Sequence, residues 1–409
     1  MKTAIKEIKV GLDFGSGIQS VGRLAIRNGV IYFEYDDNFL QNKLEISPIK
    51  LPLQRGVIEL PADPFEGLAG VFNDSLPDGW GRLLFDRMLR YKGILPSKVT
   101  SLDRLAHVGL HGLGALVYEP DQSPNSKNEM IDLDVLASQT KEVLEGDSDE
   151  VIAELLALNG SSAGARPKAL IGVDKQRKNI LYGANQLSDS FEHWIVKFPN
   201  AQDGKDAGAI EYVYALMAAD AGIAMPNVHL FSSQKGNGYF AVKRFDRDGN
   251  KRLHMHTVSG LIHSNFRFPS LDYEDLLSLT SFLTKDIREV EKMFQLAVFN
   301  VMAHNQDDHA KNFTFLMNEL GEWKLSPAYD ITFSNGPGGE QSTMVLGEGR
   351  NITVKHLSKM GTEAQLSKEF IESVIDQTRS ALGKWIDLAK YYGVNDSNIN
   401  IINRGISKL

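Results

Sequence analysis

The segment His304-Asn305-Gln306-Asp307-Asp308-His309-Ala310-Lys311-Asn312 follows a long run with apolar periodicity and gathers carboxylates, amides and imidazoles in one short stretch. Asp307 and Asn312 have the spacing of a proton-accepting carboxylate and a metal-ligating amide in phosphoryl-transfer loops. Transfer of a phosphoryl group needs positioning and charge neutralisation more than covalent chemistry. A base must sit near the acceptor hydroxyl, oxygen ligands must hold Mg²⁺, and a lysine must meet the phosphates. Ala328-Tyr329-Asp330 closes the next pair of strand-like runs and supplies a second carboxylate for such a metal. A lone Asp-x4-Asn would equally suit a polar helix end before a surface hairpin; Asp330 tips the reading toward chemistry.

Lys197 sits in the apolar strand-like run His193-Trp194-Ile195-Val196-Lys197-Phe198. It is read either as the lysine that meets the phosphates, with Glu211 on the next helix to orient it, or as an ordinary edge lysine. Glu211 equally suits a first-turn acid favoured by the helix dipole. Gly160–Ala165, followed by Arg166-Pro167-Lys168, could cradle phosphates with its backbone N–H groups, although it lacks both G-x-G-x-x-G and the Walker A pattern. Ser161 and Ser162 in this loop are candidate phosphoacceptors. Gly11-Leu12-Asp13-Phe14-Gly15-Ser16-Gly17 is similar to the phosphate loop of actin-like sugar kinases. That fold needs a second, equivalent hairpin, and Asp246-Arg247-Asp248-Gly249 reads as a plain turn. The first motif is therefore assigned to a hairpin turn. His254, His256, His263, His304 and His309 match no familiar zinc spacing.

The elements that must position these groups follow from periodicity. Strands are expected at residues 5–14, 20–26 and 30–35, and helices at 79–91 and 102–108. A polar stretch, Glu119–Glu129, reads as a linker. A helix is expected over 133–158, then strands at 168–173, 180–182 and 193–198, a helix over 209–221, and strands at 228–231 and 239–245. Past Leu271 the chain reads mainly helical, including 286–305, and is interrupted by a short ribbon at 312–317 and 323–326. The expected class is α+β: a two-lobed, protein-kinase-like fold with a β-rich N-terminal subdomain at 1–128, a β-rich kinase lobe at 129–245 and a mainly helical lobe at 246–409.

Composition narrows the partners. Cysteine is absent, which removes disulfides, thiol catalysis and Cys-ligated zinc, and fits a cytoplasmic location. Hydrophobic residues at 42% and charged residues at 23% describe a soluble globular chain, with no apolar stretch of spanning length. A net charge of −8 argues against a broad nucleic-acid grip.

Taken together, these motifs resemble the HipA family of bacterial toxin kinases over nearly the whole chain. Leu51–Gly56, Val71–Arg82 and Leu102–Gly114 look like its opening domain, Ser161–Ala165 like its phosphate loop, Trp194–Pro199 like its lysine strand, and Arg244–Arg247 like its hinge. Asp307–Asn312 and Leu325–Asp330 are similar to its catalytic loop and metal segment.

The resemblance implies ATP and Mg²⁺ as cofactors. Asp307 would deprotonate a serine or threonine, Asn312 and Asp330 would hold Mg²⁺, and Lys197 would hold the α/β-phosphates. Ala163, Gly164, Ala165, Arg166, Pro167 and Lys168, with His309, Ala310, Lys311, Asn312, Tyr329 and Asp330, would line ATP. The backbone of Lys243, Arg244 and Phe245 would receive adenine. Self-inactivation would fall on Ser161, with Ser162 second, because a phosphate there adds about two negative charges where those of ATP must sit. The implied partners are a HipB-like helix-turn-helix antitoxin, operator DNA mainly through that antitoxin, and an aminoacyl-tRNA synthetase as substrate. The alternative is a catalytically silent scaffold that binds antitoxin and operator. The chain departs from the best-known branch at Arg166-Pro167, at Lys243 and over His254–Phe268.

Overall fold

The computed structural model describes residues 4–124, 129–146, 152, 155–156, 164–182, 187–200, 204–268 and 271–406. Packing divides the chain into two compact units that are not consecutive in sequence. The first comprises Met1–Gln202, Ala241–Ser264 and Leu316–Glu322, and the second Asp203–Phe240, Asn265–Phe315 and Trp323–Leu409.

The first unit opens with an antiparallel sheet in the order β4-β3-β2-β1-β5, formed by β1 (Glu7–Asp13), β2 (Ile18–Arg27), β3 (Val30–Tyr35), β4 (Val57–Glu59) and β5 (Leu116–Glu119). Ile8, Val10 and Leu12 alternate inward along β1, as a strand with one buried face requires. The turn joining β1 and β2 carries Gly15 at φ 99° and Gly17 at φ 127°, so the Gly-rich motif is the hairpin turn its sequence suggested. The helix Gly79–Tyr91 buries Trp80, Leu84, Phe85, Met88 and Leu89 at helical spacing. Ser101–Val108 starts on a capping box between Thr100 and Asp103.

A second antiparallel sheet in this unit joins β7 (Ile180–Tyr182), β6 (Lys168–Asp174) and β8 (Phe191–Lys197), and Ala241, Val242 and Lys243 pair with Val196, Ile195 and Trp194 of β8. The strand expected over 239–245 stops at Lys243 because the Arg244 side chain folds onto Asp246. The helix expected over 133–158 runs over Leu133–Glu145 and stops where Gly146, at φ 89°, forms a left-handed cap. Most of the remainder of that expected helix lies outside the described residues.

Asp74 ties the returning segment 254–264 to the opening module. Its carboxylate accepts from the Thr257 N–H at 2.7 Å, the Thr257 hydroxyl at 2.8 Å and His256 Nδ1 at 2.7 Å. His256 Nε2 meets Ser47 Oγ at 2.9 Å, so acid, imidazole and hydroxyl form a relay. Ser47 and His256 are both 0% exposed, which makes the relay an anchor sealed from substrate. Gly70 and Gly260 pack backbone to backbone beside it; a Cβ on Gly70 would overlap the Gly260 carbonyl. Gly70→Ala is therefore expected to cost about 1–3 kcal/mol of stability, read as a lowered thermal or denaturant midpoint.

The second unit is mainly helical. Ala207–Asp220 buries Val213, Tyr214 and Met217, and the Tyr214 hydroxyl donates to the Ala303 carbonyl at 2.8 Å. Trp385 packs edge-on against Tyr214 at 5.7 Å, and Phe294 meets Phe370 at 6.2 Å. The helix expected over 286–305 spans Ile287–Met302, because Asp286 is its N-cap and His304, at φ 56°, has left the helix. No helix among the described residues is long and apolar enough to cross a membrane.

Candidate active site in two halves

In the second unit the long helix Ile287–Met302 delivers the chain into residues 304–312. Val290, Met293, Phe294, Ala297 and Val301 are buried along it, so its exit point is fixed by the core. The loop is then held by a buried polar network. Asn305 Nδ2 donates to Asn300 Oδ1 at 2.9 Å, Asn300 Nδ2 to the Tyr273 hydroxyl at 3.0 Å, and that hydroxyl to Asp308 Oδ2 at 2.5 Å. Gln341 Nε2 reaches Asp308 Oδ2 at 2.8 Å and the Asn305 carbonyl at 2.6 Å. The Thr343 N–H donates to Asp308 Oδ1 at 3.1 Å. Neighbouring acids thus have opposite environments: Asp308 is 0% exposed, while the Asp307 side chain is 63% exposed.

The backbone of Asp307 is pinned from both sides. Its N–H donates to Ser334 Oγ at 3.0 Å, and its carbonyl accepts from Asn312 Nδ2 at 2.6 Å. With Asn312 Nδ2 turned to that carbonyl, its Oδ1 is the end that can act as a ligand oxygen. His309 Nε2 lies 3.9 Å from Asp307 Oδ1, and Phe266 packs on the His309 ring at 5.1 Å and under the Lys311 ammonium at 4.7 Å. The divergent segment 254–268 therefore ends against residues 309–311 of this loop. The Tyr329 hydroxyl donates to the Lys311 carbonyl at 2.6 Å, and the Ser326 N–H to the Thr314 carbonyl at 2.9 Å. These bonds lead to Asp330, which is held at φ 53°, a strained region that asparagine and aspartate tolerate better than most residues.

Burial pushes the Asp308 carboxyl up to about 7, although Tyr273, Gln341 and Thr343 all donate to it. A carboxyl raised above its unfolded value near ~3.9 favours the fold while it holds its proton. That stability is present below the unfolded value and drains away as pH rises to about 7. Asp308→Asn is expected to flatten this decline, measured as denaturant midpoints at pH 5 and pH 8.

In the first unit, Lys168 and Lys197 are direct cross-strand partners of β6 and β8, so their side chains share one face of the sheet. Lys168 is 7% exposed. Gly164, at φ 101°, lies against the Lys168 ammonium, where any Cβ would collide with Nζ. The opening module clamps this glycine: its N–H donates to the Asp78 carboxylate, and its carbonyl accepts from the Trp80 N–H at 3.1 Å. Pro167 follows, and its carbonyl accepts from the Phe198 N–H at 2.8 Å, which ties the loop's exit to the end of the lysine strand. Ser161, Ser162 and Ala163 lie outside the described residues.

The connecting segment is held by charge. Lys243 Nζ meets Glu192 Oε1 at 2.6 Å, and the Arg244 N–H donates to the His193 carbonyl at 2.8 Å. Arg244 grips Asp246 through Nε at 2.9 Å and Nη2 at 2.8 Å, Arg247 Nη1 reaches the same carboxylate at 2.6 Å, and the Gly114 N–H donates to it at 2.8 Å. Burial alone would raise the Asp246 carboxyl; the two guanidiniums overcome it and hold the group well below the usual carboxylate range.

Some of this was open to sequence reasoning and some was not. Asp308 stood inside the quoted motif with no role, and its burial depends on Tyr273 and Gln341, far away along the chain. Asp78 had no role beyond the family motif that contains it. Glu211 is 3% exposed and lies past the first turn of a helix that begins at Ala207, so it is not the first-turn acid of the plainer reading.

Comparison with known proteins agrees with this architecture. The family model for the HipA-like C-terminal domain matches residues 160–386, and that for the HipA N-terminal domain matches residues 16–119. A curated protein of Sinorhizobium fredii, "Putative kinase Y4mE", is 22% identical over 409 residues and covers 91% of each chain. A second from that organism, "Putative kinase Y4dM", is 24% identical over 241 residues, 54% of this chain and 55% of its own. The solved HipA of Shewanella oneidensis, from a toxin–antitoxin complex with HipB and its operator DNA, superposes with a TM-score of 0.70 at 15% identity, covering 98% of this chain and 95% of that one. With both of its domain types matched in order, this chain belongs to the HipA family and has its two-lobed, kinase-like fold.

Proposed function

We propose that the chain is an ATP- and Mg²⁺-dependent serine/threonine protein kinase, the toxin of a toxin–antitoxin pair. The observation that carries this reading is the contrast within the catalytic loop: Asp308 is buried and bonded at both oxygens, the Asp307 backbone is held from both sides, and the Asp307 side chain is 63% exposed. Asp307 accepts the proton of the acceptor hydroxyl as that oxygen attacks the γ-phosphorus and ADP departs. The oxygen donors fit a hard divalent cation: Asn312 has its Nδ2 turned to the Asp307 carbonyl, and Asp330 adds a carboxylate. When bound, Mg²⁺ neutralises phosphate charge. Lys168 and Lys197 put two lysines on one sheet face, which suits an anionic chain of phosphates.

The further proposals rest on the family. A HipB-like helix-turn-helix protein would be the antitoxin and would supply the operator contacts, which accords with a net charge of −8 on this chain. A translation component such as an aminoacyl-tRNA synthetase would be the substrate. Phosphorylation of Ser161, or of Ser162, would oppose ATP binding by charge. The test is transfer of labelled γ-phosphate from ATP. Purified protein should form acid-stable phosphoserine or phosphothreonine on itself or on a cell-extract protein, dependent on Mg²⁺. Nucleotide binding by calorimetry without any transfer would overturn the kinase reading.

A further inference from the structure

The first unit contains a cavity of about 620 Å³ that the phosphoryl-transfer reading does not use. Its rim is the turn Asp13–Gly17, the motif that resembled a phosphate loop, docked on Gly249-Asn250. The two turns are locked together: the Arg252 N–H donates to the Phe14 carbonyl at 3.2 Å, and any Cβ on Gly15 would strike the Asn250 carbonyl. Among the described residues assigned to nucleotide, only Arg244 lines the cavity; Lys168, Lys197, Lys243 and Phe245 do not.

One wall is cationic and has unused donors. Arg244, Arg247 and Arg252 line it, and against them stand the carboxylates of Asp13 and Asp246, a net of one positive charge. Arg247 and Arg252 also donate to backbone carbonyls, those of Gly112, Gly114 and Leu110. Arg244 makes fewer bonds. Its side chain is 4% exposed, its Nε and Nη2 bind Asp246, and Nη1 has no hydrogen-bond partner among the described residues. His193 Nδ1 on the same cavity is buried and has no partner either. Burial, and then Arg244, pushes His193 down to about 3, so its ring is neutral at physiological pH. A buried polar atom without a partner, as His193 Nδ1 is, costs about 1–3 kcal/mol. Ile18, Leu110, Leu156, Leu170 and Leu187 also line the cavity and give it an apolar surface. A concave space of this size that combines apolar side chains with convergent polar groups suits a small ligand.

We propose that this cavity binds a small organic anion, a phosphate- or carboxylate-bearing molecule with an apolar body, at a site separate from the nucleotide site. The anionic group sits between Arg244 Nη1 and His193, and the body lies on the leucine side chains. This inference does not depend on the kinase reading.

The test uses the full chain saturated with Mg²⁺ and the ATP analogue AMPPNP, or with buffer alone if nucleotide does not bind. Fluorescence titration with 1-naphthyl phosphate and with 1-naphthoate separates the two head groups. We expect saturable binding of about one equivalent of at least one probe. Leu187→Trp and Ile18→Trp, which add bulk at two lining positions, should each weaken it tenfold or more, and His193→Phe should weaken it severalfold. Circular dichroism melts show which variants remain folded, and either filler alone suffices. No saturable binding, displacement by AMPPNP, or equal affinity in a folded filler variant would each overturn the proposal.

Discussion

Asp307→Asn is expected to lower the rate of phosphoryl transfer by about 10²–10⁴-fold, the range of a general base, while ATP affinity and melting temperature stay near those of the parent. The reason is the division of labour in the loop. The Asp307 backbone, through its N–H to Ser334 and its carbonyl to Asn312, holds the fold of the segment. Its side chain is 63% exposed, so the amide replacement removes the proton acceptor and little else. Single-turnover transfer measured beside calorimetric ATP binding distinguishes the outcomes. An equal fall in both would mean that Asp307 positions nucleotide, and an unchanged rate would remove it from the mechanism.

The second large effect is on stability. Asp246→Ala would leave Arg244 and Arg247, with side chains 4% and 9% exposed, without their shared carboxylate. Breaking a buried pair by deleting one partner costs about 3–5 kcal/mol, and the Gly114 N–H loses its acceptor as well. The denaturant midpoint should fall accordingly. Because the folded carboxyl is held below its unfolded value near ~3.9, the stability it contributes is present above that value. It is lost only as pH falls through the lower, folded one. Asp246→Asn should therefore abolish part of the acid limb of the stability curve and leave its slope above pH 6 unchanged. This is the reverse of the expectation for Asp308, whose contribution fades as pH rises.

The elements were legible where the signal is local. Gly79–Tyr91 begins at the residue after Pro77-Asp78, and Val30–Tyr35, Ile180–Tyr182 and Val228–Phe231 have their expected bounds. Boundaries moved where a side chain or cap decided them: Gly146 ends one helix, Asp286 caps another, and Arg244 folds back at the end of a strand. In the candidate site, Asp307, Asn312 and Asp330 could be picked out because their spacing lies within one stretch. The opposition of Lys168 and Lys197 could not, since it is a property of strand register. The same holds for Asp78 on Gly164 and Gln341 on Asp308, which are separated by 86 and 33 positions. Periodicity carries no information about which distant side chain will arrive to satisfy a buried acid.

The discontinuity of the first unit has a consequence for how the chain is made. Asp74 waits 182 residues for His256, and Gly114 waits 132 for Asp246. At ribosomal rates of about 5–20 residues per second, the anchor around Asp74 is incomplete for roughly ten seconds or longer after that acid emerges. During that time the nascent opening module exposes the backbone groove at Gly70 that residue 260 will later fill. A message truncated between codons 119 and 256 would yield a polypeptide with its first sheet encoded in full and its anchor missing, a natural client for chaperones and proteases. The order of synthesis thus delays completion of the first unit until most of the chain has left the ribosome.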